Sequence, residues 1–280
     1  MNEKVKQMLP RNAVLKAKGL RDEMRLLKSG SFYKRGFEYA QTWNKTPGAA
    51  PNANTPPPAI QNNPLWDYFC SIEKGHGIWK WHHYFPIYHQ HLQKFIGKPV
   101  KIVEIGIFSG GSLPMWKSYF GPQCHIYGVD IMEACKAYQS DDVSVFIGDQ
   151  EDPVFWDKFI KEVGDVDIVI DDGGHTHGQM IVTLEKMLPH LRPGGVFICE
   201  DIQGLHHKFT EFVFGLASEL NRIGPKSNEV FSASGFQSYC NSIHLYPFVT
   251  VIERTLQSRS NLFSLKHGTE WQPFYKQYDS

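Results

Sequence analysis

The sequence predicts an α/β protein: a doubly wound, mostly parallel, seven-stranded sheet preceded by an N-terminal helical extension. Three observations carry this. Short apolar runs alternate with helix-forming stretches from residue 100 to residue 199, the pattern of successive βαβ units. The first run ends in a Gly-rich turn that opens a helix. Two later runs, 242–246 and 249–253, flank Pro247-Phe248 and read as a hairpin, so the sheet should close on an antiparallel pair.

Residues 1–45 form an N-terminal helical arm. It is basic and helix-prone, with apolar side chains at Val5, Met8, Leu9, Leu20, Met24 and Leu27, and reads as one or two short amphipathic helices. It is either a packing or oligomerisation arm or a loosely attached extension. Residues 46–64 carry no charge and are dense in Pro, Asn and Ala, including Pro56-Pro57-Pro58; such a stretch cannot build a core and reads as an extended linker. The main domain is expected over 65–280. Its first segment, 66–96, is rich in aromatics and His and reads as helical. Strands follow at 100–105, 126–129, 143–147, 167–170 and 196–199. Between them lie helices near 112–120, 132–138, 153–163 and 179–191.

Lys plus Arg equals Asp plus Glu, 29 of each, so the formal net charge is zero. That argues against a nucleic-acid partner held by general phosphate neutralisation. No run of 18 apolar residues is present and the N-terminal stretch lacks an apolar core, so neither a membrane span nor a secretory signal is expected. The five cysteines are odd in number and without a CxxC pair, which disfavours a disulfide framework and points to the reducing cytoplasm. Asn44-Lys45-Thr46 then reads as a chance sequon.

The chemistry begins at Val103-Glu104-Ile105-Gly106-Ile107-Phe108-Ser109-Gly110-Gly111-Ser112. Glycines let a ligand approach the backbone, and the helix N-terminus favours negative charge. The spacing Gly-x-x-x-Gly departs from the Gly-x-Gly-x-x-Gly of dinucleotide binders, which disfavours a nicotinamide-dependent oxidoreductase. Asp130 ends the second run, where a carboxylate can accept from both ribose hydroxyls. Gly148-Asp149-Gln150 follows the third and suits an adenine amino group. The fourth run ends Asp171-Asp172-Gly173-Gly174-His175 and the fifth ends Glu200-Asp201. Adjacent strands would bring Asp172, Glu200 and Asp201 to one rim. Three such carboxylates raise one another's pKa unless a cation lies between them, and hard oxygen ligands with open positions suit Mg²⁺. His175, on the same turn as Asp172, could take a proton from an acceptor hydroxyl. The alternative is a hydrogen-bonded loop network without metal.

Residues 100–253 resemble a class I S-adenosylmethionine-dependent methyltransferase. The likeness rests on Glu-x-Gly-x-x-x-Gly, the acidic end of the second strand, Gly148-Asp149, Leu191-Arg192-Pro193-Gly194-Gly195 and the terminal hairpin. It implies that Glu104, Gly106, Ser109, Gly110, Ser112, Asp130, Gly148, Asp149, Gln150 and Asp171 bind the methyl donor. The set Asp172, His175, Glu200, Asp201, together with Ser242-Ile243-His244-Leu245-Tyr246, resembles the metal-dependent macrolide-sugar and rhamnosyl O-methyltransferases and their cephalosporin-hydroxylase-like relatives. There the matching acids bind Mg²⁺ and the matching His is the proposed base. The acceptor would be a sugar or a glycosylated small molecule, and the relatives' assembly implies a homo-oligomer. Antibiotic-pathway members often continue after Glu-Asp with His-Thr-Ser-Tyr. This chain has Ile202-Gln203-Gly204-Leu205-His206-His207, so its substrate-facing side differs.

His206 and His207 are substrate candidates, as are Lys80, His82, His83 and Tyr84 from the aromatic segment before the first strand; that segment reads equally as a buried core helix. Its many histidines lack zinc-ligand spacing. Two further readings of the whole remain: a metal-free N- or phenol O-methyltransferase, and a non-catalytic cofactor-binding partner.

Overall fold

The computed structural model describes residues 29–43, 62–204, 207–227, 230–265 and 267–268. Most of the N-terminal arm and linker, His206 among the substrate candidates, and the C-terminal tail lie outside the described residues. The chain divides into two compact units, Met1–Thr55 and Pro56–Ser280. The first contributes helix α1 (Ser29–Gln41). No helix among the described residues is long and apolar enough to cross a membrane.

The second unit opens with α2 (Pro64–Ser71) and α3 (Tyr84–Leu92). Asn63 caps α2 by accepting from the Leu65 and Trp66 amides, with Pro64 at the first helical position. The continuous helix expected over 66–96 is broken: residues 72–83 are irregular, because Gly75-His76-Gly77 carries no helical preference. The alternating elements follow as β1 (Val100–Ile105), α4 (Ser112–Phe120), β2 (Cys124–Asp130), β3 (Val143–Ile147), α5 (Pro153–Val163), β4 (Val166–Asp171), α6 (His177–Met187), β5 (Leu191–Cys199) and α7 (Lys208–Leu220). After short strands β6 (Lys226–Ser227) and β7 (Val230–Ser232) come α8 (Gly235–Tyr239), β8 (Cys240–Tyr246), β9 (Val249–Arg254) and β10 (Asn261–Phe263).

The seven-stranded sheet runs β3-β2-β1-β4-β5-β9-β8. Its first five strands are parallel, and β9 and β8 are antiparallel. The parallel sheet and its terminal hairpin are therefore as expected. The central strands β1 and β4 are buried on both faces, as interior parallel strands are. Along β1, Ile102 joins the core beneath α2, α3 and α4, while Val103 and Ile105 join the core of Trp156, Phe159, Met180, Leu184, Phe209 and Val213 on the opposite face. Alternation of one residue thus divides the apolar side chains between two layers.

The boundaries differ for identifiable reasons. Residues 133–138 form a 3-10 rather than an α-helix. Helix α6 starts two residues early because Thr176 and Gln179 complete a capping box, and it stops before Pro189. Leu191-Arg192-Pro193-Gly194-Gly195 is part of β5, with an irregular register between Val166 and Ile168 that absorbs the Pro-Gly-Gly. Helix α7 and the three-stranded sheet β10-β7-β6 are additions to the expected set.

The edge hairpin is pinned to α3 by charge. His91 Nδ1 lies 3.0 Å from Glu253 Oε1, His91 Nε2 lies 2.9 Å from the Tyr246 hydroxyl, and Lys94 donates to Glu253 at 3.3 Å. These contacts, the hydrogen bond from His91 foremost, hold the Glu253 carboxyl down at about 2 against the opposing pull of burial. A depressed carboxylate pKa contributes stability above the ordinary value of 4.5 and loses it as pH falls through the folded value. Glu253→Gln should therefore lower the thermal midpoint at neutral pH. The gap to the native chain should narrow between pH 4.5 and about 2; a gap that stays constant in a melting series across that range would show that the pair does not carry the hairpin.

Candidate active site

Every element of the site lies at the carboxyl edge of the central strands, where open α/β sheets place their ligands. After β1 the chain turns at Gly106, whose φ of +81° suits glycine. A Cβ there would sit 2.1 Å from the Asp172 carbonyl, so the β1 and β4 loops approach each other to a distance no side chain allows. Glu104 is buried and accepts from Ser112 Oγ at 2.8 Å and Trp116 Nε1 at 3.0 Å. It ties the strand end to α4, so both Glu104 and Ser112 are engaged inside the loop. Ser109 is half-buried in the turn, and Gly110 sits against the Tyr138 ring.

Asp130 ends β2 with its carboxylate fixed by two backbone donors: Phe108 N to Oδ2 at 3.0 Å and Met132 N to Oδ1 at 2.9 Å. Each oxygen keeps a lone pair for a further donor. Ile131 and Met132 beside it are exposed. Gly148 packs on the Phe155 ring, and Asp149 is exposed. Gln150, expected to face the cofactor, is turned inward. Its amide donates to Asp171 Oδ1 at 2.9 Å and Thr183 Oγ1 at 3.1 Å, and its carbonyl accepts from Gly174 N. Asp171 is fully buried, and burial pushes its carboxyl up to about 7.

The acidic group assembles beside this cleft. Strands β4 and β5 are neighbours with Asp171 paired to Cys199, which sets Asp172 and Glu200-Asp201 on adjacent loops. Lys80 lies between them, its side chain 4% exposed. Its ammonium donates to Asp172 Oδ2 at 2.5 Å and to Glu200 Oε2 at 2.8 Å. Burial works against this ammonium, but Glu200, Asp172 and Glu104 outweigh it and hold its pKa above the ordinary lysine range. Glu200 is wholly buried, with Tyr88 donating to its other oxygen at 2.6 Å. Its carboxyl is raised by burial against the pull of Lys80.

Asp201 Oδ1 accepts from Trp81 Nε1 at 2.9 Å and from the Tyr84 hydroxyl at 2.6 Å. Two oxygens are left: Asp172 Oδ1 and Asp201 Oδ2, each 3.9 Å from His175 Nε2. One ligand atom from each of these three residues fits within 4.8 Å of the others. The two uncommitted carboxylate oxygens are hard donors that suit one divalent cation, and the His175 imidazole stands beside them. Lys80 offsets one negative charge of the cluster and leaves the rest for such an ion. Glu200, expected as a third metal ligand, stands apart, because both its oxygens are taken by Lys80 and Tyr88.

His175 and Asp201 adopt left-handed backbone, φ +58° and +53°. Among the described residues, the buried side-chain atoms without a hydrogen-bond partner are Asp171 Oδ2 at the end of β4, His175 Nδ1 in the loop after it and His207 Nδ1 before α7. Native interiors satisfy almost all such atoms, and His175 Nδ1 among them belongs to the acid cluster.

The other substrate candidates disperse. Lys80 and Tyr84 are buried in the acid network, as described. His82 packs edge-on against Trp66 at 4.9 Å. His83 Nε2 meets the Pro247 carbonyl at 2.9 Å. His207, partly buried, lies 6.4 Å from His177 ring to ring. Sequence reasoning missed Tyr88 and Trp116 as anchors of Glu200 and Glu104. Helical spacing of Tyr84 and Tyr88 is the one signal that could have found the first. Segment 72–83 crosses the Gly-rich turn: a Cβ on Gly111 would meet the Gly77 carbonyl at 2.3 Å.

Comparison with known proteins agrees with this architecture. Residues 103–202 match the family model described as a methyltransferase domain. The chain is 37% identical over 128 residues to the mycinamicin VI 2''-O-methyltransferase of Micromonospora griseorubida, covering 43% of this chain and 32% of that one. It is also 37% identical over 137 residues to an 8-demethyl-8-alpha-L-rhamnosyl tetracenomycin-C 2'-O-methyltransferase of Streptomyces olivaceus, covering 46% and 36%. The matches thus span about a third of each curated relative. Among solved structures, the MycE methyltransferase of mycinamycin biosynthesis, in complex with Mg, SAH and mycinamycin VI, superposes with a TM-score of 0.56 at 26% identity. It covers 69% of this chain and 53% of that one. The fold is that of the class I methyltransferases, and the expected resemblance to sugar O-methyltransferases is found in these relatives.

Lys80→Met should leave Glu200 as an unpaired buried charge and destabilise the fold by about 3–5 kcal/mol. Adding Glu200→Gln should recover part of that loss, a coupling that urea denaturation of the four chains in a double-mutant cycle would measure. Additive losses would show that Lys80 and Glu200 do not act as a pair.

Proposed function

We propose that this chain is an S-adenosylmethionine-dependent O-methyltransferase, assisted by a divalent metal such as Mg²⁺, that acts on a hydroxyl of a sugar or glycosylated small molecule. The observation that carries the reading is the pair of uncommitted oxygens, Asp172 Oδ1 and Asp201 Oδ2, equidistant from His175 Nε2. The curated relatives' activities on sugar hydroxyls and the metal in the MycE complexes support it.

The Gly106–Ser112 turn and Asp130 cradle the methyl donor. Asp130 accepts from the ribose hydroxyls, exposed Ile131 and Met132 cover the base, and Asp149 meets its amino group. A divalent cation held by Asp172 and Asp201 would supply Lewis acidity and so make an acceptor hydroxyl a competent nucleophile at neutral pH. His175 Nε2 takes the proton, and the carboxylates on either side stabilise the imidazolium that results. Trp81 and Tyr84 lock the Asp201 rotamer, so the uncommitted oxygen keeps its direction. Lys80 does the same for Asp172 and keeps the cluster from repelling itself apart. The homo-oligomer expected from the resemblance and the cytoplasmic location expected from the cysteine pattern belong to this proposal.

One observation favours a second reading. Lys80 already neutralises part of the acid cluster, as a metal-free methyltransferase would require. Calorimetric titration separates the two. With S-adenosylhomocysteine bound, Mg²⁺ should bind saturably to the native chain and not to Asp201→Asn. His175→Ala should keep both ligands and lose about 10²–10⁴-fold in kcat. Methyl transfer that survives exhaustive chelation would establish the metal-free reading instead.

A further inference from the structure

We propose that Trp81 and Phe248 form the platform on which the acceptor's sugar ring lies, holding it by its C–H face with its hydroxyls toward Asp172, His175 and Asp201. The inference rests on the functional reading above and adds which face of the acceptor is recognised and by which side chains.

Three chain segments meet here. Trp81 is 47% exposed, yet its indole N–H is fixed on Asp201 Oδ1. Phe248 lies 5.5 Å from Trp81, ring to ring, and is 37% exposed. The turn that carries Phe248 is tied to both neighbours. Its own carbonyl accepts from Ile202 N at 3.0 Å, and the Pro247 carbonyl meets His83 Nε2. Residues 81–83, 201–202 and 247–248 are thus bound to one another beside the acid pair.

The backbone at Phe248 is the second argument. Its φ is +64°, a conformation that Asn and Gly adopt at little cost in hairpin turns and that a bulky aromatic does not. Such strain persists where the surrounding structure imposes it, and it concentrates at binding sites. An exposed phenyl ring held there, against its local preference, calls for an apolar partner.

Position identifies the partner. Trp81 is one hydrogen bond from Asp201, so a ring that covers its exposed part lies beside the acid pair. The planes of Trp81 and Phe248 are inclined at 51°, which makes an open corner rather than a parallel slot for a flat ring. A pyranose is puckered, apolar on its C–H face and polar at its rim. It can desolvate two inclined aromatic rings while its hydroxyls stay near the carboxylates.

The test is methyl transfer to methyl α-L-rhamnopyranoside and a panel of other methyl glycosides. Phe248 touches neither the acids nor the cofactor loop, so Phe248→Ala isolates the platform. It should raise the glycoside KM by about ten-fold or more, with kcat and the Kd for S-adenosylhomocysteine within about three-fold of native. Phe248→Tyr, which restores the ring, should restore the KM. Trp81→Phe should keep the KM and lower kcat, because it keeps a ring but frees Asp201. An unchanged KM in Phe248→Ala overturns the platform while leaving the functional reading intact. Absence of transfer from the native chain to every glycoside, with transfer to a phenol such as catechol, overturns the functional reading and the platform with it.

Discussion

A lysine ammonium removed from water persists where acceptors and counter-charges replace its hydration. Lys80 meets that condition with Asp172 on one loop and Glu200 on the next. The pairing fixes much else. It draws segment 72–83 across the carboxyl edge of the sheet, and the Gly77 carbonyl lands on Gly111. It places Trp81 and Tyr84, the residues that follow, against Asp201. It also divides the acids by task. Glu200 becomes a buried structural anion shared with Tyr88, whereas Asp172 and Asp201 each keep one oxygen uncommitted.

The sheet supplies the geometry that this charge arrangement needs. Parallel neighbours with matched register deliver consecutive loops at one edge, so Asp130, Asp172 and Asp201 follow from strand order alone. For that reason the fold and much of the candidate site were legible in the sequence. The strands end at Ile105, Asp130, Ile147, Asp171 and Cys199, and Asp130, Asp171, Asp172, Glu200 and Asp201 stand at or just past such an end. Where reading fell short, side-chain direction decided. Gln150 stands at a strand end like the others, but it points inward to Asp171 and Thr183. Nothing in a linear pattern separates an amide that faces a ligand from one that satisfies a neighbour.

The same limit applies to charge. Lys80 in the sequence is a cation in an aromatic stretch, and an exposed role is the ordinary reading of lysine. Its burial depends on Glu200, 120 residues away, and long-range pairs of this kind leave no periodic trace. The break of the expected 66–96 helix has the same origin. Gly75 and Gly77 permit an irregular path, but the path is set by the ion pair at its far end and by the Gly-rich turn beneath it. Tyr88 shows the converse: its place one helical turn after Tyr84 was visible, but its partner was not.

The segment that matches the methyltransferase family model, residues 103–202, contains the Gly-rich turn, Asp130, Asp172, His175, Glu200 and Asp201. It holds what any donor-binding, hydroxyl-activating site requires. Lys80, Trp81, Tyr84, Tyr88 and Phe248 all lie outside it, and they are the residues that orient the acids or present aromatic surface beside them. Selection for a particular acceptor acts on surfaces that touch the acceptor, whereas the chemistry of methyl transfer constrains the strand ends. A chain can therefore keep the second and rebuild the first. The acids thus stand at strand ends, and the aromatic surface beside them comes from segment 72–83 and the hairpin turn.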